Sequence, residues 1–75
     1  MKQLRSKKHQ CDIFINKNYH GHLIVFKILK LDQFLQKSEI MTCGYFKTRA
    51  EALRVLNTEK IDYMQNLLNR MDHNE

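Results

Sequence analysis

The stretch that most constrains this fold is Gly44-Tyr45-Phe46-Lys47-Thr48-Arg49-Ala50-Glu51-Ala52-Leu53, where a strand-like segment runs directly into the start of a long amphipathic helix. Thr48 and Glu51 stand at capping-box spacing. In that motif the threonine oxygen accepts from the backbone N–H at the glutamate position, and the glutamate reaches back to the capping N–H. The spacing predicts a helix that starts at Arg49. From Arg49 to about Met71, a step of about 100° per residue places Ala52, Leu53, Leu56, Ile61, Tyr63, Met64, Leu67, Leu68 and Met71 on one half of the wheel. Beyond the first residue, Lys60 is the one charge near the centre of that half. Glu51, Arg54, Thr58, Glu59, Asp62, Gln65, Asn66 and Asn69 fill the other half, and Asn57-Thr58 is the expected place for a break or bend. Unbroken, the helix would span about 33 Å against about 30 Å for a nine-residue strand, so its last turn or two is expected to overhang.

Ahead of the helix, period-two patterns dominate. Cys11 to Asn16 is rich in β-branched and aromatic residues and reads as a first strand, closed by the turn-forming cluster Asn18, Tyr19, His20, Gly21. His22 to Lys30 is apolar on both alternating faces, with Ile24, Phe26 and Ile28 on one and Leu23, Val25 and Leu29 on the other. Such a pattern marks the middle strand of three. Leu31 to Lys37, with Asp32 as a cap and Phe34 and Leu35 as anchors, reads as a single helical turn or structured loop. Glu39 to Lys47 reads as the third strand, with Ile40, Thr42, Gly44 and Phe46 on one face and Met41, Cys43 and Tyr45 on the other. The expected fold is therefore α+β: a three-stranded antiparallel meander packed on one long C-terminal amphipathic helix. Residues 1–10 carry only Met1 and Leu4 as apolar side chains and are expected to form a basic flexible arm, leaving residues 11–75 as one small α+β domain.

A chain of 75 residues buries only about 60–65% of the surface it exposes when unfolded, so its core is thin. A single helix covers one sheet face, yet the middle strand is apolar on both. Leu23, Val25 and Leu29 must then be met by the 31–37 segment, by a second copy of the chain, or by another partner.

Charge is unevenly spread. Residues 1–49 hold ten Lys/Arg against three Asp/Glu, or +7, whereas residues 50–75 hold three against five, or −2. Lys2, Arg5, Lys7, Lys8, Lys17, Lys27, Lys47 and Arg49 all precede the helix or stand at its start, and Tyr19 and His20 occupy the hairpin tip. A basic arm plus a basic sheet edge suits the phosphate backbone of DNA or RNA, and such binding would weaken steeply with salt. The apolar run Leu23-Ile24-Val25-Phe26 is far short of the roughly 20 residues of a membrane span. No apolar signal region follows the basic start, and the expected location is cytoplasmic.

Other chemistry finds little support in the pattern. Whether Cys11 and Cys43 lie near each other on neighbouring strands is left open by the pattern, and without a secretory signal they are read as reduced, buried apolar residues. His9, Cys11, His20 and His22 have the residue types of a metal site, but Cys11 starts the first strand whereas His20 and His22 bracket its far turn, about 20 Å away. No metal and no cofactor are expected. There is no Gly-rich phosphate loop and no nucleophile elbow, and Cys43 with His20 or His22 is the one nucleophile candidate, so the chain is not expected to be an enzyme.

Three strands followed by a helix that opens Gly-Tyr-Phe-Lys-Thr-Arg-Ala-Glu-Ala resembles the amino-terminal arm-binding domain of phage and transposon tyrosine integrases. Their last strand and helix commonly read Gly-x-Phe-x-Thr-x-x-Glu-Ala, matched here by Gly44, Phe46, Thr48, Glu51 and Ala52. The resemblance implies a sheet laid in the DNA major groove with the helix packed behind it. The double-stranded-RNA-binding domain shares the same element order, with Arg49 standing for the lysine pair it sets on phosphates. The first expectation is thus a small non-enzymatic nucleic-acid-binding accessory protein, of the kind that phages and mobile elements encode. The alternative is a protein-binding adaptor or inhibitor, or a homodimer. It would act through a sheet edge or an apolar surface made by Leu23, Val25, Leu29 and Met41 together with the helix end at Leu67, Leu68 and Met71.

Overall fold

The computed structural model describes residues 2–31 and 38–74. Its elements are β1 (Lys2–Arg5), β2 (His9–Asn18), β3 (Gly21–Lys30), β4 (Glu39–Phe46) and a continuous C-terminal helix in three parts. These parts are α1 (Arg49–Val55), a π-helical turn (Leu56–Lys60) and α2 (Ile61–His73). The strands form one antiparallel sheet in the order β1-β2-β3-β4. The α+β meander is as expected, but it has four strands rather than three. Most of the segment expected as a flexible arm is edge strand β1 and the start of β2. One inward residue suffices for that edge: Leu4 sits opposite Cys11 and packs on the core, while Lys2, Gln3 and Arg5 stay exposed, as charged edge strands commonly do. The turn expected over Leu31 to Lys37 lies outside the described residues apart from Leu31, whose N–H donates to the Lys8 carbonyl at 2.8 Å.

One face of the sheet carries the core. Cys11, Ile13, Ile24, Phe26 and Ile28 meet Ala52, Leu56, Met64 and Leu68, all nearly fully buried. α1 lies over β3 and β4, whereas α2 lies over β2 and β1. Because β1 widens the sheet beneath it, the helix end does not overhang: Leu68 is wholly buried, and Leu67 and Met71 pack against the core. They are core residues, not a free partner surface.

The helix stays unbroken at Asn57-Thr58, where the π turn instead inserts one extra residue. The Ile61 N–H donates to the Leu56 carbonyl, five residues back. Counting at 3.6 residues per turn from Ala52 and Leu56 would bring Lys60 inward next. The π turn delivers Ile61 to that place, and the inward series continues as Met64, Leu68 and Met71. Tyr63, assigned to the apolar half by the regular wheel, is exposed for the same reason, whereas Leu53, ahead of the π turn, is exposed because it flanks the line from Ala52 to Leu56. Lys60 swings out over the Tyr63 ring, 5.8 Å from its centroid.

A bulge shifts β4. Ile24 pairs with Cys43 and His22 with Phe46, so two steps on β3 face three on β4. Cys43 and Phe46 therefore share the helix side, while Met41, opposite Phe26, also lies on that side rather than with Leu23, Val25 and Leu29. Strict alternation had placed these residues differently. On the other face Val25 retains only 5% exposure, and Leu23 and Leu29 are half-buried.

Leu68→Ala is expected to lower the unfolding free energy by about 2–5 kcal/mol, the range for an aliphatic core truncation. Ile40→Ala, at a position 61% exposed, should change it by no more than about 0.5 kcal/mol. Urea unfolding of the two variants checks both values.

Candidate nucleic-acid interface

The candidate cations do not form one surface. β2 runs about 30 Å from His9 to Asn18 and separates them into an end by the hairpin tip and an end by the β1–β2 turn. Cross-strand register places Lys17, His22 and Phe46 in one row at the tip end, and Lys47 and Arg49 follow Phe46 directly. Arg49 also lines a half-open cleft of about 340 Å³ with Lys2, over a floor that includes Ile13, Ile15, Leu53 and Leu56. Lys2 donates to Asn57 Oδ1 at 3.3 Å in the same cleft.

Aromatic side chains cap that end. Tyr19 is 93% exposed and Tyr45 51% exposed. The Tyr19 and His20 ring centroids are 4.1 Å apart, and those of His20 and Tyr45 5.5 Å apart. Two features of the backbone bring them together. The Asn18 side-chain oxygen accepts from the His20 N–H at 2.8 Å, closing the turn, and Gly21 supplies its φ of +132°. A Cβ at Gly21 would come within 2.6 Å of the Phe46 carbonyl oxygen, so only glycine lets the hairpin tip lie this close to β4. Tyr45 was not among the residues singled out from the sequence; its participation follows from the bulge, which no alternation pattern announces.

Lys7 and Lys8 stand at the opposite end, in a cleft shared with Asn69, Asp72 and His73. There a carboxylate organises the backbone. Asp72 accepts from the Lys7 and Lys8 amides at 2.9 and 3.3 Å and from Ser6 Oγ at 2.9 Å, and it lies 2.6 Å from His9 Nδ1. His9 is 2% exposed. Burial by itself pushes the Asp72 carboxyl up, but the His9, Ser6 and backbone hydrogen bonds outweigh it and hold the group below its ordinary value. Gln65 adds a hydrogen bond to the Arg5 carbonyl at 2.9 Å, which ties α2 to β1. Sequence reasoning missed this cluster, since Asp72 is 63 residues from His9 and neither lies in a recognisable motif.

Arg5 and Lys27 belong to a third place, the sheet face away from the helix. Arg5 donates twice to Gln10 Oε1, at 3.1 and 3.3 Å, within a polar ladder in which Gln3 and Gln10 donate to Asp12. Lys27 stands across from Asp12 on one side and Ile40 on the other. This face is mixed in charge and partly apolar.

The thiols are free and apart. Cys11 on β2 and Cys43 on β4 have β3 between them and pair with Ile28 and Ile24, so they lie about 10 Å apart across the sheet and about 13 Å apart along it, too far for a disulfide without backbone movement. They are not on neighbouring strands. Burial, with Asp12 adding to it, pushes the Cys11 thiol up to about 11, which suits an inert core residue. His9 and Cys11 lie at one end of β2 and His20 and His22 beyond the other, and among the described residues no three His, Cys, Asp or Glu side chains gather as metal ligands. Among the described residues, too, no helix is long and apolar enough to cross a membrane. Compared with known proteins, the chain matches no family model, no curated protein and no solved structure.

The depressed Asp72 value has a consequence for acid stability. Its ionised form is favoured in the folded state, so its contribution is complete above the ordinary value of 3.8 and is lost as pH falls through and below it. Asp72→Asn should be less stable than the native chain at neutral pH, and the gap should narrow as pH falls below 3.8. Thermal unfolding followed by circular dichroism across that range measures it. Equal stability of the two proteins at neutral pH would contradict the role given to this carboxylate.

Proposed function

We propose that the protein is a small non-enzymatic nucleic-acid-binding protein whose contact surface is the hairpin-tip end. The observation that carries this is that Lys17 stands level with His22 and Phe46, with Lys47 and Arg49 following in the chain, at the same end of the sheet as the exposed Tyr19, His20 and Tyr45 rings. Cations position a phosphate backbone, and aromatic faces tolerate any base. The likeness to integrase arm-binding domains at Gly44 to Ala52 would favour DNA laid on the open sheet face. Arg5 and Lys27 there are set among Leu23, Leu29, Ile40 and Asp12, which makes the tip end the better match to a polyanion.

Titration with mixed-sequence DNA and RNA tests the proposal. Affinity should fall at least tenfold between about 50 and 200 mM salt if about three phosphates are neutralised. Lys17→Ala and Lys47→Ala should each weaken binding, while Lys7→Ala, at the far end, should leave it nearly unchanged. Absence of binding at the lower salt concentration would remove the proposal.

A second reading has its own observation. β4 is an outer strand whose residues are nearly all exposed, including Ile40 and Tyr45, and an open edge of this kind accepts another strand. A homodimer or adaptor built on that edge predicts a dimer in light scattering, or a captured strand, that Ile40→Lys disrupts. A monomer with no change on this substitution would rule the edge out.

A further inference from the structure

We propose that the Tyr19, His20 and Tyr45 rings form a stacking ledge for the bases of single-stranded nucleic acid, with the phosphates passing Lys17 and Lys47. This rests on the nucleic-acid reading and narrows it to one substrate class. The starting observation is that folding makes no use of the two bulky tip residues. Turn closure is met by the Asn18 side chain, and the unusual backbone angle falls on Gly21, so Tyr19 and His20 carry no conformational duty between them. Small polar residues would serve the turn equally well. Instead the tip presents a phenol that is 93% exposed, in ring contact with an imidazole that in turn meets a second, half-exposed phenol.

The three rings come from two separate parts of the chain, the β2–β3 hairpin tip and strand β4. The close approach of Gly21 to the Phe46 carbonyl sets the hairpin tip against β4, and the bulge between the His22 and Ile24 pairings sets the position of Tyr45. The rings cover the faces they turn to one another, so unstacked bases would lie on the outward faces of the cluster, chiefly that of Tyr19 and the exposed part of Tyr45. A duplex cannot use such a ledge, because its base faces are already stacked on one another and only its phosphates are within reach. The flanking charge agrees with a polyanion: Lys17 is two residues before Tyr19, and Lys47 is two residues after Tyr45. An apolar protein partner would leave both lysines without a counter-charge.

Intrinsic tyrosine fluorescence provides a direct readout, since the chain has three tyrosines and no tryptophan. Tyr63 lies on α2, away from the ledge, and serves as internal reference. Addition of an oligothymidylate of about 12 nucleotides should quench the emission of Tyr19 and Tyr45 and leave that of Tyr63. Tyr45→Ala and Tyr19→Ala should each weaken binding of this strand at least about fivefold. Tyr45→Phe should retain most of it, and Tyr63→Phe all of it. A mixed-sequence duplex of equal length should bind more weakly and be indifferent to the alanine substitutions, with circular dichroism showing that the variants remain folded. If the duplex binds at least as well, and Lys47→Ala weakens it while both tyrosine variants do not, the ledge is overturned and the nucleic-acid reading stands. If neither probe binds at about 50 mM salt, both fall.

Discussion

One helix can shield only one side of a sheet, and that constraint governs the rest of this molecule. Among the described residues the apolar series Ala52, Leu56, Ile61, Met64, Leu68 and Met71, with Leu67 beside it, forms the second layer. The π turn keeps the series in phase by adding one residue where a regular helix would have brought Lys60 to the core. As a result Cys11, Ile13, Ile24, Phe26 and Ile28 on the inner side are buried, while β4 stays largely in solvent and the outer face mixes a polar ladder with buried Val25 and half-buried Leu23 and Leu29. Whatever the protein binds must be met at the surfaces this single helix leaves open.

Asp72 closes the other end of the same layer. Near the C-terminus of α2, its carboxylate accepts from the Lys7 and Lys8 amides of the tight β1–β2 turn and from the Ser6 hydroxyl. With Gln65 on the Arg5 carbonyl, it converts a weakly apolar edge strand into a fixed part of the sheet. Lys7 and Lys8 are thereby drawn beside a carboxylate, about 30 Å from the tip cations. This end of the molecule is given over to holding β1 and α2 together.

Much of the architecture was legible because it rests on short-range physics. Thr48 caps the helix with its oxygen accepting from the Glu51 N–H at 3.1 Å, and the three strands with clear alternation or apolar runs became β2, β3 and β4. What escaped depended on long-range contacts. β1 has a single inward apolar residue, so no periodicity marked it, and its anchors, Gln65 and Asp72, lie more than 55 residues away. Likewise the bulge in β4 reversed the side of Met41 relative to Val25 and added Tyr45 to the tip, because an inserted residue breaks the period-two count that sequence reasoning relies on. Of the basic residues named in advance, Lys17, Lys47 and Arg49 share the tip end with Tyr19 and His20. Lys2 reaches toward it through the Arg49 cleft, and Arg5, Lys7, Lys8 and Lys27 lie elsewhere.

The measurement that bears most directly on a tip-end contact surface is an NMR titration of the ¹⁵N-labelled protein with a short oligonucleotide, following each backbone amide. The account predicts that shifts concentrate at residues 17–22 and 45–49, with those of Lys7, Lys8 and Lys27 nearly still. Shifts centred on Arg5, Lys27 and Ile40, or on Lys7 and Lys8, would place the contact on another surface and contradict it.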